Sequence, residues 1–172
     1  MIKAIIFDFG QTLVDSADGF RFAEKIAKEK IYLSLFPYSN GDQWESFLTQ
    51  YRQIRKQFHA ESNFSRPAIW QAVYDHFHCK TDTLKLEDLE TEYWALVKSK
   101  TRPFPETIKV LETLSKQFQL GIITNTQGQK TRGNHRISLF PGIENFFETI
   151  IIAGESGLPP KPPRSRPVGS DS

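Results

Sequence analysis

Ile5-Ile6-Phe7-Asp8-Phe9-Gly10-Gln11-Thr12-Leu13-Val14-Asp15 decides the reading of this 172-residue chain. A short apolar run ends in a carboxylate, and a glycine-containing turn follows at once. A run of this length reads as a buried strand of an α/β sheet. An acid at the C-terminal end of such a strand is costly to bury without a partner. That edge of the sheet is also where α/β folds put their ligands. A lone Asp that merely caps the next turn is common, so Asp8 gains weight only from segments further along.

Outward from this stretch, residues 2–9 read as the first strand. From 17 to 100 the apolar period becomes helical. Phe20, Ala23, Ile26 and Ala27 recur at helical spacing, as do Phe47, Leu48, Tyr51 and Ile54, then Ile69 and Val73, then Leu86, Leu89, Tyr93, Leu96 and Val97. Breaks at 37–41, 63–67 and 79–83 divide this stretch into about four helices, with Asp42 and Ser65 as expected caps. Pro103-Phe104-Pro105 marks the return to α/β patterning. Residues 106–117 read as a helix, 120–124 as a second strand, 127–139 as a mostly polar helix and 147–153 as a third strand. Strands separated by helices imply parallel pairing. An insert directly after the first strand stands over the sheet edge that carries Asp8.

Charge and composition narrow the partners. The net charge is +2 and the basic residues are spread along the chain, which argues against a nucleic-acid stripe or a membrane-surface helix. No segment has the apolar length needed to cross a bilayer, and the N-terminus does not read as a signal peptide. Cys79 is the single cysteine, so no internal disulfide forms, in keeping with a reducing cytoplasm. The expected partner is a small molecule, with no nucleic acid and no membrane.

Three pieces converge on one sheet edge. Asp8 ends the first strand, Thr124 ends the second and is followed by Asn125, and Lys161 lies just beyond the third. A carboxylate, a hydroxyl and an ammonium together suit an anionic substrate. The carboxylate is a candidate nucleophile, the hydroxyl can hold phosphate oxygens, and the lysine offsets negative charge.

On these residues the chain resembles the haloacid dehalogenase-like (HAD) hydrolases, in the branch with a helical cap after the first strand. The matching pieces are Phe7-Asp8-Phe9-Gly10-Gln11-Thr12-Leu13, then Ile122-Ile123-Thr124-Asn125, then the run from Ile152 to Lys161-Pro162. The resemblance implies a Rossmann-like parallel sheet over residues 1–15 and 101–158, an all-helical cap over 16–100, and a proline-rich tail over 159–172. It also implies a phosphatase of small phosphorylated metabolites. Asp8 would form an aspartyl-phosphate, and Mg²⁺ would be held by Asp8 and the backbone carbonyl of Gly10. Thr124, Asn125 and Thr12 would bind substrate, and Lys161 would order Asp8. A closing cap would exclude water and select the substrate.

Two departures from the family pattern stand out. Phosphatases of this family carry a second Asp two residues after the nucleophile as general acid and base, and that position here is Gly10. General acid catalysis is typically worth about 10²–10⁴-fold. The family's fourth, acidic motif has no counterpart after Lys161. Asp171 follows too closely and has no apolar strand before it. The change of character after Pro162 reads as a chain cut short relative to the family. Ile2 to Phe9 is then expected as an apolar sheet edge prone to self-association.

Two further readings follow. Dehalogenases of the same family attack carbon without metal and also lack the second Asp. A non-catalytic scaffold would use Pro159-Pro160-Lys161-Pro162-Pro163-Arg164 as a polyproline ligand. His76 and His78 read as a helix end rather than a metal pair, and the cap aromatics read as core.

Overall fold

The computed structural model describes residues 2–125 and 136–154. It is an α/β fold with a parallel three-stranded sheet and a large helical insertion. The sheet contains β1 (Ala4–Phe7), β4 (Gln119–Asn125) and β5 (Thr149–Ala153), in the order β1-β4-β5. Phe7 pairs with Ile122, and Thr124 pairs with Ile152, both in parallel. All three strands therefore end on one edge. β4 takes the centre because it is apolar on both sides of its pleat: Leu120 and Ile122 are buried and flanked by buried Gly121.

One face of this sheet packs on α5 (Thr107–Leu114), a short 3₁₀ turn (Arg136–Leu139) and α6 (Pro141–Glu144). Phe9, Leu13, Leu111, Leu120, Ile122, Ile137 and Ile143 form that core. Along β1 the side chains alternate between exposed and half-buried. Ile6, on the outward face, lies across Gly121: a Cβ at Gly121 would stand 2.8 Å from Ile6 Cδ1.

Between β1 and α5 run four helices: α1 (Ala17–Leu35), α2 (Trp44–Ala60), α3 (Arg66–His76) and α4 (Thr83–Lys100). They enclose a separate aromatic core around Phe47, Tyr51, Trp70, Tyr93 and Trp94. α1 packs tightly on α4 at Gly19, where a Cβ would meet the Val97 carbonyl oxygen at 2.6 Å. The chain leaves and re-enters the sheet through a two-stranded antiparallel link, β2 (Val14–Asp15) with β3 (Arg102–Pro103). Thr107 Oγ1 donates to the Leu13 carbonyl at 2.8 Å and ties α5 to the same crossing point.

Local details depart from the sequence expectations. Ser65 caps α3 by accepting from Ala68 N, as expected. Asp42 does not cap α2: its carboxylate accepts from Ser39 Oγ at 2.9 Å, and Gln43 occupies the cap position without a side-chain bond. Asp82, not singled out from sequence, caps α4 through Leu84 N at 3.0 Å. The helix expected over 106–117 is regular only from Thr107 to Leu114. Of the helix expected over 127–139, residues 136–139 form a 3₁₀ turn and 127–135 lie outside the described residues.

Candidate active site

The turn after β1 is wound tightly around one acceptor. The Phe9 carbonyl accepts from Leu13 N at 2.9 Å and, more loosely, from Thr12 N and Val14 N. Gln11 takes a left-handed backbone, φ 61°, a conformation that costs a non-glycine residue energy and marks a constrained turn. Its side chain compensates. With the amide oriented as its neighbours require, the oxygen accepts from Ser16 N at 2.9 Å and Ala17 N at 3.0 Å. These amides belong to the N-cap residue and the first residue of α1, whose Ser16 side chain makes no capping bond. The turn beside Asp8 and the first cap helix are thus joined by one side chain.

Beyond the strand ends lies a cavity of about 350 Å³. Asp8, Thr124 and Asn125 line it from the sheet edge, Gly10 and Gln11 from the turn, and Phe20 from the cap. Asp8 is half-buried and Thr124 fully buried. Asp8, Gly10, Thr124 and Asn125 therefore meet in one place. Thr12 is exposed in the turn and is not among the lining residues. Lys161 lies outside the described residues.

Arg136, which sequence reasoning missed, also lines the cavity. Its Nη2 donates to Thr124 Oγ1 at 3.3 Å. Its guanidinium carbon lies 5.1 Å from the Phe9 ring centroid and 5.9 Å from that of Phe20, within cation–π range. Burial lowers its pKa to about 10, partly opposed by the negative charge of Asp8. It remains a cation at neutral pH, and an acid of that strength is poorly matched to proton donation there. Among the described residues that line the cavity, Asp8 brings a carboxylate and Arg136 a guanidinium.

The donor set bears on the metal that the resemblance implies. Mg²⁺ takes oxygen ligands and is often held by one or two carboxylates plus substrate phosphate and water. The Asp8 carboxylate and Gly10 carbonyl are oxygens of that kind, and both residues line the cavity. Among the described residues no group of three or more His, Cys, Asp or Glu comes together. The residues present therefore fit the ion in a complex that includes substrate phosphate. His76 sits in the last turn of α3, packed edge-on against Phe77.

The sequence profile described as haloacid dehalogenase-like hydrolase matches residues 5–165. No curated protein matches the chain. Among solved structures, a 2-haloacid dehalogenase from Pseudomonas syringae pv. Tomato aligns at 24% identity and TM-score 0.54, over 92% of this chain and 66% of that one. A haloacid dehalogenase-like family hydrolase from Xanthomonas campestris aligns at 14% identity and TM-score 0.55, over 90% and 63%. A HAD-hydrolase of Bacillus subtilis, YfnB, bound to magnesium, aligns at 19% identity and TM-score 0.52, over 92% and 66%. Likeness at these identities speaks to the fold. The chain spans just under two thirds of the length of these relatives.

Proposed function

Because this chain belongs to the haloacid dehalogenase-like hydrolases, we propose that it is a phosphatase of small phosphorylated metabolites working through an aspartyl-phosphate. The observation that carries the reading is the meeting of Asp8, Thr124 and Arg136 around one cavity at the C-terminal edge of a parallel sheet. A carboxylate beside a hydroxyl and a guanidinium suits an electrophile that is itself an anion.

An Asp8 oxygen attacks phosphorus, the ester oxygen leaves, and water then cleaves the acyl phosphate to release inorganic phosphate and restore Asp8. Thr124 Oγ1 accepts from Arg136, so its own proton is available to a phosphoryl oxygen. Asn125 holds a second oxygen, and Lys161, outside the described residues, would order Asp8 as the family resemblance implies. Magnesium, when bound through the Asp8 carboxylate and the Gly10 carbonyl, would neutralise charge on the phosphoryl oxygens. Gly10 offers no proton to the leaving oxygen. The favoured substrates are those whose leaving group departs unprotonated, such as aryl or acyl phosphates. Partners are small molecules, and the single thiol of Cys79 accords with a cytoplasmic setting.

The test is hydrolysis of p-nitrophenyl phosphate with Mg²⁺, which Asp8→Asn must abolish. Turnover untouched by that change rejects the mechanism. A second reading, attack on the carbon of a 2-haloacid, is permitted by Gly10 but ranks lower, because the family's dehalogenases usually carry an aromatic residue at that position. Release of halide without Mg²⁺ would select it.

A further inference from the structure

Gly10 and Arg136 bear on each other directly. A Cβ built on Gly10 would stand 2.9 Å from Arg136 Nη2 and 3.0 Å from Nη1, closer than carbon normally approaches either atom. The volume that a side chain at position 10 would fill is therefore taken by the guanidinium. The cation is held there from three sides: Thr124 Oγ1 accepts from it, Phe9 lies beneath it, and Phe20 of the cap flanks it. The Thr124 bond is long at 3.3 Å, and a guanidinium carries five N–H donors. The fork can thus turn N–H groups toward an anion in the cavity that Arg136 lines. Few groups suit two phosphoryl oxygens better than this planar fork.

Resting on the phosphatase reading, we infer that Arg136 is the receptor for the substrate's phosphoryl oxygens, and that glycine stands at position 10 to make room for it. The two residues form one device. A side chain at position 10 does not simply add a missing group. It displaces the anion receptor, and a carboxylate there pairs with the guanidinium and occupies it. Restoring the second Asp of the family's phosphatases in this chain alone therefore weakens the site. Phe20 adds a cap contribution to the same device, because it lines the cavity and flanks the receptor.

Titration calorimetry of the full chain with inorganic phosphate, at low ionic strength and neutral pH, tests this without turnover. Hydrogen bonds to a charged group are worth enough for Arg136→Gln to weaken phosphate binding roughly 10- to 100-fold. Arg136→Lys should recover part of the loss, since it keeps the charge without the fork. Gly10→Ala and Gly10→Asp should each weaken binding, the Asp more, although neither changes Arg136 itself. In the Arg136→Gln background, Gly10→Ala should have no further effect. Should Arg136→Gln fail to fold, as judged by circular dichroism and thermal melting, Arg136→Lys and the two Gly10 variants carry the test. Unchanged phosphate affinity in Arg136→Gln or Arg136→Lys overturns the proposal, as does tighter binding or faster turnover in Gly10→Asp. Asp8→Asn separates the two claims. If it leaves turnover intact, the mechanism fails. If it abolishes turnover while Arg136 variants bind phosphate normally, the receptor fails and the mechanism stands.

Discussion

In the cap, Trp70, Tyr51, Tyr93 and Phe47 are shut away from solvent on every side, whereas the strand that delivers Asp8 leaves Ile6 56% exposed. The cap core is built from rings at close range: Phe47 against Tyr51 at 5.8 Å, Trp70 against Tyr93 at 6.0 Å, Tyr93 against Trp94 at 5.4 Å. Both of its buried indole N–H groups are satisfied: Trp70 Nε1 donates to Tyr51 Oη at 3.1 Å, and Trp94 Nε1 donates to Glu90 Oε1 at 3.3 Å. Among the described residues β4 is the strand paired on both sides, and its residues at the reacting edge, Thr124 and Asn125, are polar. Helices here carry the burial, and strand ends carry the chemistry. The two meet through Phe20, which packs edge-on against Trp94 in the cap and flanks Arg136 at the site.

The sharpest way to break this contrast is to cut into both regions. Trp70→Ala should cost about 3–5 kcal/mol, the range for removing a buried aromatic side chain, and it also leaves the Tyr51 hydroxyl without its donor. Ile6→Ala should cost under about 1 kcal/mol, because more than half of that side chain is already in water. Urea denaturation of the two variants measures the difference. Comparable losses would mean that the outward face of β1 is covered in solution.

Gly19→Ala probes the seam between α1 and α4. Its new methyl would meet the backbone oxygen of Val97 and, at 3.2 Å, Thr101 Oγ1. Backbone cannot swing aside as a side chain can, so the helices must part, at a cost of about 1–3 kcal/mol. On propensity alone the change would stabilise a helix. The sign of the measured shift in urea midpoint therefore decides between close packing and intrinsic preference at this position.

What the sequence disclosed follows the same division. The strand leading to Asp8, the strand ending in Thr124 and the four cap helices each carry a repeating apolar pattern long enough to read. The link between β2 and β3 carries none, because two residues have no period. Asp42 and Asp82 are chemically equal as caps. The difference is that Ser39 engages Asp42, a local bond that composition does not reveal. Asp8, Thr124 and Gly10 stand in recognisable strings, and the fold gathers them. Arg136 stands in a polar stretch without periodicity, one of 22 lysines and arginines. Only the chain's return over the sheet brings it against Gly10. The nearest sequence signal was Gly10 itself, an unfilled position beside a nucleophile, readable as room for a neighbour as well as a missing acid.

Ile6→Lys tests the open edge at a smaller energetic scale. Among the described residues β1 pairs only with β4, and Ile2 and Ile6 are exposed beside it. An apolar edge of this kind recruits further strands, and an outward lysine blunts it. Sedimentation velocity should show the chain associating at high concentration and the variant shifted toward monomer, with stability changed by less than about 1 kcal/mol. A chain that is monomeric throughout would break the contrast from the sheet side.

The smallest effect returns to the cap, at His59 in the last turn of α2. Burial, reinforced by the positive charges of Arg55 and Arg66 and opposed by Glu24, lowers its pKa below the ordinary 6.5. The unfolded chain therefore takes up this proton before the folded one does. Linkage then makes the His59 contribution fully present above about pH 6.5 and lost as pH falls through the lower folded value. His59→Gln should flatten the dependence of the urea midpoint on pH below 6.5 and leave it unchanged above. The ring stacks on Phe64 at 5.0 Å, so a uniform drop at every pH would report lost packing instead. The pH slope, rather than the midpoint at any one pH, is the quantity that isolates the charge. A slope that steepens on removing His59 would mean that Glu24 governs the pocket and that the cap interior is more polar than its ring packing indicates.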